Sequence, residues 1–308
     1  MIEFKQATIG YPGHAPVING LDLLIHEGEF VTLIGESGSG KTTLLKSING
    51  LVPLTSGELT VLDRPFIQWP IHDLRRRIGY VIQQIGLFPH MTVEENINYV
   101  PSLSGSKPHY PVEALLELVN MPAEYKNRYP RELSGGQKQR VGVARALAAN
   151  PEILLMDEPF GAVDEITRAT LQEELKAIHK QLKKTILFVT HDLEEALRLG
   201  ERIILFRDGH IEQMGSKHAM VFRQETPYVT KFFNDKHLSA YLNMTTVSEV
   251  ALLDVDYRRD YYPIQESTTL IQLIDLKIKL PKETCFAIEK EGQLLGVVPD
   301  LESLIAKL

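Results

Sequence analysis

The chain has 308 residues, of which 44% are hydrophobic and 24% charged, which is enough apolar material for a globular core. Its formal net charge of -7 argues against a nucleic-acid partner, because proteins that bind nucleic acid present basic surfaces to the phosphates. A single cysteine, Cys285, excludes an intrachain disulfide, and no apolar run approaches the ~18–20 residues of a membrane span.

Short apolar runs alternate with amphipathic stretches as far as about residue 215, a pattern that predicts an α/β domain. Buried strands are predicted at 30–34, 153–156, 185–190 and 202–206. The first of these strands leads into a glycine-rich turn, followed by a helix that begins at Lys41. Residues 93–118 are predicted to be mostly helical, with a loop at 101–111.

The glycine-rich turn has the Walker A pattern of a phosphate-binding P-loop. Its residues are Gly35, Glu36, Ser37, Gly38, Ser39, Gly40, Lys41 and Thr42. The glycines let backbone N–H groups surround a phosphate at a helix N-terminus. Lys41 is expected to contact the β- and γ-phosphates, Thr42 to ligate Mg²⁺, and Thr43 to donate to a neighbouring phosphate oxygen. The sequence therefore predicts a nucleotide site.

A second apolar strand, at 153–156, ends in two adjacent carboxylates, Asp157 and Glu158. Asp157 is expected to hold Mg²⁺, directly or through water. Glu158 follows it by one residue and is expected to orient and polarise the attacking water. Together with the P-loop, this acidic pair predicts hydrolysis of the nucleotide.

The segment 133–137 reads Leu-Ser-Gly-Gly-Gln and opens a helix predicted to run through Ala149. Ser134 is a good N-cap, and the helix N-terminus behind it can form a second phosphate site. With this segment the chain resembles the ABC ATPase family. The resemblance implies a P-loop NTPase fold with a RecA-like core, an antiparallel β subdomain and a helical subdomain. It also implies a homodimer in which the γ-phosphate of ATP held by one copy is contacted by the other copy's Ser134, Gly135, Gly136 and Gln137.

The remaining family elements occur in order along residues 1–235. The resemblance implies that Tyr11 stacks on adenine, although a tyrosine before Pro-Gly is otherwise a turn residue. It implies that Gln83 contacts Mg²⁺ or its water and responds to the permease, with the adjacent Gln84 as the competing choice. Asp164 matches the D-loop, and His191 matches the histidine that contacts the γ-phosphate.

Two classes of function fit these motifs. One cassette, no long insertion and an acidic charge favour the ATP-hydrolysing subunit of an importer. Such a subunit would pair with an integral-membrane permease at the cytoplasmic face of the membrane and serve a substrate-binding protein indirectly. The alternative is a soluble ABC ATPase that acts in translation or DNA repair. Residues 77–92 and 139–145 resemble the uptake group for glycine betaine, choline and carnitine.

After residue 235 the composition changes, which predicts a connector at 236–246 and a small α+β domain at 247–308. Strands are expected near 260–264, 285–288 and 294–298, with helices at 268–276 and 301–308. This domain resembles a single CBS motif. The resemblance implies pairing with its copy across the dimer and a regulatory nucleotide such as cyclic di-AMP. The alternative is an appendage that only stabilises the dimer.

Overall fold

The computed structural model describes residues 1–83, 86–103, 109–161, 163–233, 236–249, 261–281, 285–290 and 293–298. The chain divides into two compact units, Met1–Met214 and Gly215–Leu308. Within these described ranges, no helix combines the length and the apolarity that crossing a membrane requires.

The first unit alternates strands and helices, as the sequence predicts. Its strands are β1 (Ile2–Ile9), β2 (Ile18–Ile25), β3 (Phe30–Gly35), β4 (Leu54–Val61), β5 (Arg64–Pro65), β6 (Ile78–Val81), β7 (Ile153–Asp157), β8 (Thr185–Val189), β9 (Arg202–Arg207) and β10 (His210–Ser216), the last of which crosses the division. Its helices are α1 (Lys41–Ile48), α2 (Ile71–Arg76), α3 (Val93–Leu103), α4 (Val112–Leu118), α5 (Gly135–Leu147), α6 (Glu165–Leu182) and α7 (Leu193–Leu199).

The central sheet has the strand order β10-β9-β3-β8-β7-β6, and the strands from β9 to β6 pair in parallel. Every residue of β3, β7 and β8 is buried. This continuous burial explains their largely apolar sequences, because a parallel sheet is covered on both faces. The parallel arrangement also brings the carboxyl ends of β3, β7 and β8 to one edge of the sheet, where the P-loop, the acidic pair and His191 follow these strands.

A second, antiparallel sheet has the order β2-β1-β4-β5. Buried residues of β1, such as Ile2 and Phe4, join a core that also contains Leu33 of β3 and Leu44 of α1. A separate core joins the helices α3, α4 and α5, with Ile97, Leu115 and Val141 among its members, together with residues of β7 and β8. Helix α3 extends to Leu103 and includes the buried Pro101, so residues 101–103 of the loop predicted at 101–111 are helical.

The second unit contains α8 (Lys217–Phe222), α9 (Pro227–Phe232), α10 (Lys236–Met244), β11 (Tyr261–Gln265), α11 (Leu270–Lys279), β12 (Cys285–Lys290) and β13 (Gln293–Val298). Strand β12 lies between β11, to which it is parallel, and β13, to which it is antiparallel. The core of this unit includes Tyr241, Ile264, Leu273 and Phe286. The predicted final helix at 301–308 lies outside the described residues.

The segment 236–246, predicted to be a connector, contains the helix α10. Tyr241 of α10 is buried and stacks edge-on against Phe222 of α8, with 5.2 Å between the ring centroids. Burial of a large aromatic side chain is the physical reason why this segment packs as a helix instead of running as a free linker. The domain boundaries at 235 and 247 stay predictions, and the compact units divide at Gly215.

Candidate active site

Glycines shape the loop between β3 and α1. Gly35 has a φ of 142°, and a Cβ atom there would lie 2.2 Å from the carbonyl oxygen of Phe206, so only glycine fits. Gly40 caps α1 in the left-handed region with a φ of 109°. Glu36, Ser37 and Gly38 are exposed, whereas Ser39, Gly40 and Thr43 are buried. The loop therefore presents its outer residues around the N-terminus of α1, as the P-loop pattern predicts.

Lys41 folds back into this loop. Its Nζ atom donates to the carbonyl oxygens of Gly35 at 2.9 Å and Glu36 at 2.8 Å, and to the hydroxyl of Ser39 at 3.1 Å. Burial lowers the pKa of Lys41, and the nearby carboxylates of Glu158 and Asp157 oppose that shift. The loop thus holds an ammonium group at its centre, which suits it to a phosphate chain.

Thr42 and Asp157 meet beside the loop. The hydroxyl of Thr42 donates to Oδ1 of Asp157 at 2.8 Å. Burial and then the charge of Glu158 raise the pKa of Asp157, while the hydrogen bond from Thr42 opposes the rise. A hydroxyl and carboxylate oxygens are ligands that Mg²⁺ prefers, and a cation here would offset two adjacent negative charges. The residues present therefore fit a magnesium ion.

Glu158 lies at the centre of the three predicted catalytic residues. Its Oε2 atom accepts a hydrogen bond from Nε2 of Gln83 at 2.9 Å and lies 3.4 Å from Nδ1 of His191. Its backbone has a φ of 45°, a conformation that costs a residue other than glycine about 1–3 kcal/mol. The backbone N–H of Glu158 donates to the carbonyl oxygen of Val189 at 3.0 Å and so anchors the turn to β8. Such strain at a carboxylate between two polar partners is typical of an active site.

The segment at the start of α5 forms a capping box. The Ser134 hydroxyl accepts from the Gln137 backbone N–H at 3.3 Å, and the Gln137 side chain accepts from the Ser134 backbone N–H at 2.9 Å. A Cβ atom on Gly135 would meet nothing within 4 Å, whereas one on Gly136 would lie 2.6 Å from Cγ2 of Thr167. In the part of the chain that is described, no hydrogen bond joins this segment to the P-loop.

Two other predicted residues make no hydrogen bond or ion pair to this centre within the described ranges. Tyr11 lies in the turn after β1, is 39% exposed, and accepts a hydrogen bond from His14 only through its backbone. Asp164 caps α6 by accepting from the Thr167 backbone N–H at 3.0 Å, and that bond holds the pKa of Asp164 below its usual value. Gln84, the competing choice to Gln83, lies outside the described residues.

Sequence reasoning missed a polar cluster next to His191. It contains Arg168, Gln172, Thr190, Asp192 and Glu195, which are linked by hydrogen bonds and ion pairs. Glu195 is buried although helical periodicity groups it with Glu194 and Arg198 on the polar side of α7. The sequence therefore carries no signal that this carboxylate is buried, and only the packing of α7 against α6 reveals it.

Comparison with known proteins identifies the family. A protein-family model described as "ABC transporter" matches residues 18–161. The glycine betaine/carnitine/choline transport ATP-binding protein OpuCA of Bacillus subtilis (strain 168) is 40% identical over 99% of this chain and 79% of that protein. The glycine betaine uptake system ATP-binding protein YehX of Escherichia coli (strain K12) is 42% identical over 97% of each chain. The carnitine transport ATP-binding protein OpuCA of Listeria monocytogenes is 46% identical over 81% of this chain, which spans 64% of that relative.

Similar solved structures point to the same family. The dimeric ATP-binding cassette MJ0796 in a post-hydrolysis state with ADP and Pi is 34% identical, with a TM-score of 0.62 over 70% of this chain and 99% of that one. These similarities confirm the predicted P-loop ABC ATPase fold and the predicted ATP hydrolysis. The chain therefore belongs to the ABC transporter family, as an ATP-binding subunit.

Proposed function

We propose that this subunit hydrolyses ATP with Mg²⁺ at sites shared by two copies of the chain and so powers the uptake of quaternary amines through a membrane permease. The observation that carries the catalytic part is the position of the Glu158 carboxylate between Gln83 and His191. The relatives named for glycine betaine, choline and carnitine support the transport part.

Glu158 acts as the general base in this proposal. A carboxylate one residue beyond the magnesium ligand is placed to accept a proton from the attacking water at Oε2, the atom that faces Gln83 and His191. Thr42 and Asp157 would hold Mg²⁺, with Gln83 as the third predicted ligand. When bound, the ion neutralises charge on the phosphates. Lys41 and the P-loop amides bind the phosphate chain.

The second half of each site comes from the partner copy. Ser134, Gly135, Gly136 and Gln137 open α5 but make no hydrogen bond to the P-loop of the same chain among the described residues. A helix N-terminus with small residues before it suits an anion. The dimeric cassette MJ0796 supports a homodimer in which this end faces the partner's ATP. Tyr11 and Asp164 complete the site in the proposal.

The subunit works at the cytoplasmic face of the membrane, where it docks on the permease and serves a substrate-binding protein indirectly. The solute contacts those proteins, so its identity rests on the relatives' names, which specify glycine betaine, carnitine and choline. Those names favour import over a role in translation or DNA repair, and nucleic acid is not a partner.

Residues 247–308 are proposed to regulate transport as a CBS-like domain. The support is the element order β11, α11, β12 and β13, with β11 parallel to β12, which matches the predicted strand–helix–strand–strand order. The proposed ligand is a nucleotide such as cyclic di-AMP, and the alternative is an appendage that only stabilises the dimer. Calorimetric titration of the full chain with cyclic di-AMP distinguishes the regulatory domain from the appendage. Binding supports the regulatory domain, and no binding supports the appendage.

Uptake into vesicles tests the transport proposal. The subunit is purified with its permease and substrate-binding protein, reconstituted, and supplied with labelled glycine betaine, choline and carnitine. We expect ATP-dependent uptake of at least one of them, and none with Lys41→Ala, because that variant removes the ammonium group from the P-loop. ATP hydrolysis without uptake of any of the three would contradict the solute class and leave the ATPase assignment in place.

A further inference from the structure

Glu195 is a buried carboxylate on the helix α7. It is 5% exposed, although the periodicity of α7 groups it with the polar residues Glu194 and Arg198. Burial is the main cause that raises the pKa of Glu195, and the charge of Asp192 adds to it. A buried carboxylate seldom contributes net stability, because losing its hydration costs more than its partners return. The presence of Glu195 therefore calls for a reason other than stability.

One side of this carboxylate holds the backbone around His191. The hydroxyl of Thr190, the residue before His191, donates to Oε2 of Glu195 at 2.5 Å. The same hydroxyl accepts from the backbone N–H of Asp192, the residue after His191, at 2.9 Å. The chain on both sides of His191 is thus tied to Glu195 through one hydroxyl, while the His191 side chain itself is exposed.

The other side of the carboxylate contacts α6 and, through it, the segment before Asp164. Oε1 of Glu195 accepts from Nε2 of Gln172 at 3.2 Å and lies 3.8 Å from Nε of Arg168. The Arg168 guanidinium donates to the carbonyl oxygen of Val163 at 3.0 Å and to Oδ2 of Asp192 at 3.5 Å. Val163 directly precedes Asp164, which caps α6.

We propose that Glu195 is a positioning residue, which fixes the position of two segments relative to each other. It holds the His191 loop through Thr190 and the Val163–Asp164 segment through Arg168. This inference rests on the proposed function, in which Glu158 acts between Gln83 and His191 and Asp164 completes the shared site. Glu195 contacts neither the His191 side chain nor the Asp164 side chain and acts through their backbones. Substitution of the Glu195 carboxylate leaves the P-loop intact, so ATP binding is retained. His191, however, loses its fixed position opposite Glu158.

The first test is Glu195→Gln, which keeps the size of the side chain and removes its charge. We expect kcat for ATP hydrolysis to fall by on the order of tenfold or more, as misplacement of a catalytic group does, with the KM for ATP unchanged within about twofold. The matched control is Glu194→Gln, because Glu194 is the preceding residue of α7 and is exposed. An unchanged kcat in Glu195→Gln, or an equal loss in the control, would overturn the proposal.

A double-mutant cycle tests whether Glu195 acts through His191. In a His191→Ala background we expect Glu195→Gln to add no more than about a twofold further loss, because residues that act as a unit are not additive. Thr190→Val should reproduce the loss of kcat, and Thr190→Ser, which keeps the hydroxyl, should restore it. Fully additive losses would contradict the proposal.

These variants also separate two kinds of failure. If His191→Ala itself leaves turnover unchanged, the catalytic part of the proposed function fails. If His191→Ala lowers turnover and both Glu195→Gln and Thr190→Val do not, only the positioning role of Glu195 fails. Thr190→Val keeps the test decisive if Glu195→Gln does not fold.

Discussion

The two halves of the nucleotide site differ in how completely one chain builds them. On the P-loop side, Lys41 donates hydrogen bonds to the loop itself, and Thr42 donates one to Asp157. Glu158 contacts both Gln83 and His191. On the signature side, the residues that open α5 bond to one another and leave the space beside Gly135 empty. The difference teaches that one half is preorganised within the chain, whereas the other half, in the proposed function, is completed by a partner copy.

The largest effect is expected on the preorganised half. Glu158→Gln should retain ATP binding and lower turnover by on the order of 10²–10⁴-fold, because the amide cannot take the proton of the attacking water. The measurement is steady-state ATP hydrolysis beside nucleotide binding. Glu152→Gln is the matched control, since Glu152 lies at the opposite end of β7 in an exposed ion pair with Arg77. Near-normal turnover in Glu158→Gln would remove Glu158 from the role of base.

A smaller effect is expected on the signature half, where two neighbouring glycines should behave differently. Gly135→Ala adds a methyl group to open space and should leave folding stability within about 0.5 kcal/mol. It should still lower turnover by on the order of 10²-fold, because in the proposed shared site the methyl group would face the partner's nucleotide and misplace it.

Gly136→Ala serves as the comparison, since its methyl group would lie 2.6 Å from Cγ2 of Thr167. Overpacking of this kind costs about 1–3 kcal/mol, which chemical denaturation measures. Equal stability losses in the two variants would show that Gly135 is packed against its own chain. Full turnover in Gly135→Ala would show that Gly135 does not face a nucleotide.

The smallest effect on turnover is expected in the second unit, where the described core is apolar. Leu273→Ala removes a side chain that is 2% exposed and should destabilise that unit by about 2–5 kcal/mol. Turnover by the full chain should stay within about twofold, because every predicted site residue precedes Gly215. Ile278→Ala on the same helix is the control, since Ile278 is 78% exposed. A large loss of turnover in Leu273→Ala alone would show that the second unit controls hydrolysis.

The sequence was sufficient for elements whose signal is local. Strands β3, β7, β8 and β9 appear where unbroken apolar runs predict them, and the P-loop and the acidic pair lie at their carboxyl ends. The conformation of Glu158 was not predictable, because its φ of 45° follows from an anchor to Val189 on another strand. The bonds around Glu195 likewise join residues from α6, α7 and the end of β8, which only the fold brings together.

The segment 236–246 carries a local signal that the expectation of a connector did not use. Leu238, Tyr241 and Leu242 have the i, i+3, i+4 spacing of an amphipathic helix, and the segment contains the helix α10. The partners of Tyr241, which include Phe222 of α8, could not be read from that spacing, because they are distant in the chain.

The central claim, that each ATP site is shared between two copies, is tested most directly by mixing two defective chains. One copy carries Ser134→Arg and the other Lys41→Ala, both in the Glu158→Gln background and with separable tags. Sharing leaves one composite site with an intact P-loop from the first copy and an intact signature from the second. We predict an ATP-dependent mixed dimer on gel filtration, while neither chain dimerises with itself. Failure of the mixture to dimerise, while the Glu158→Gln chain alone does, would contradict the shared site.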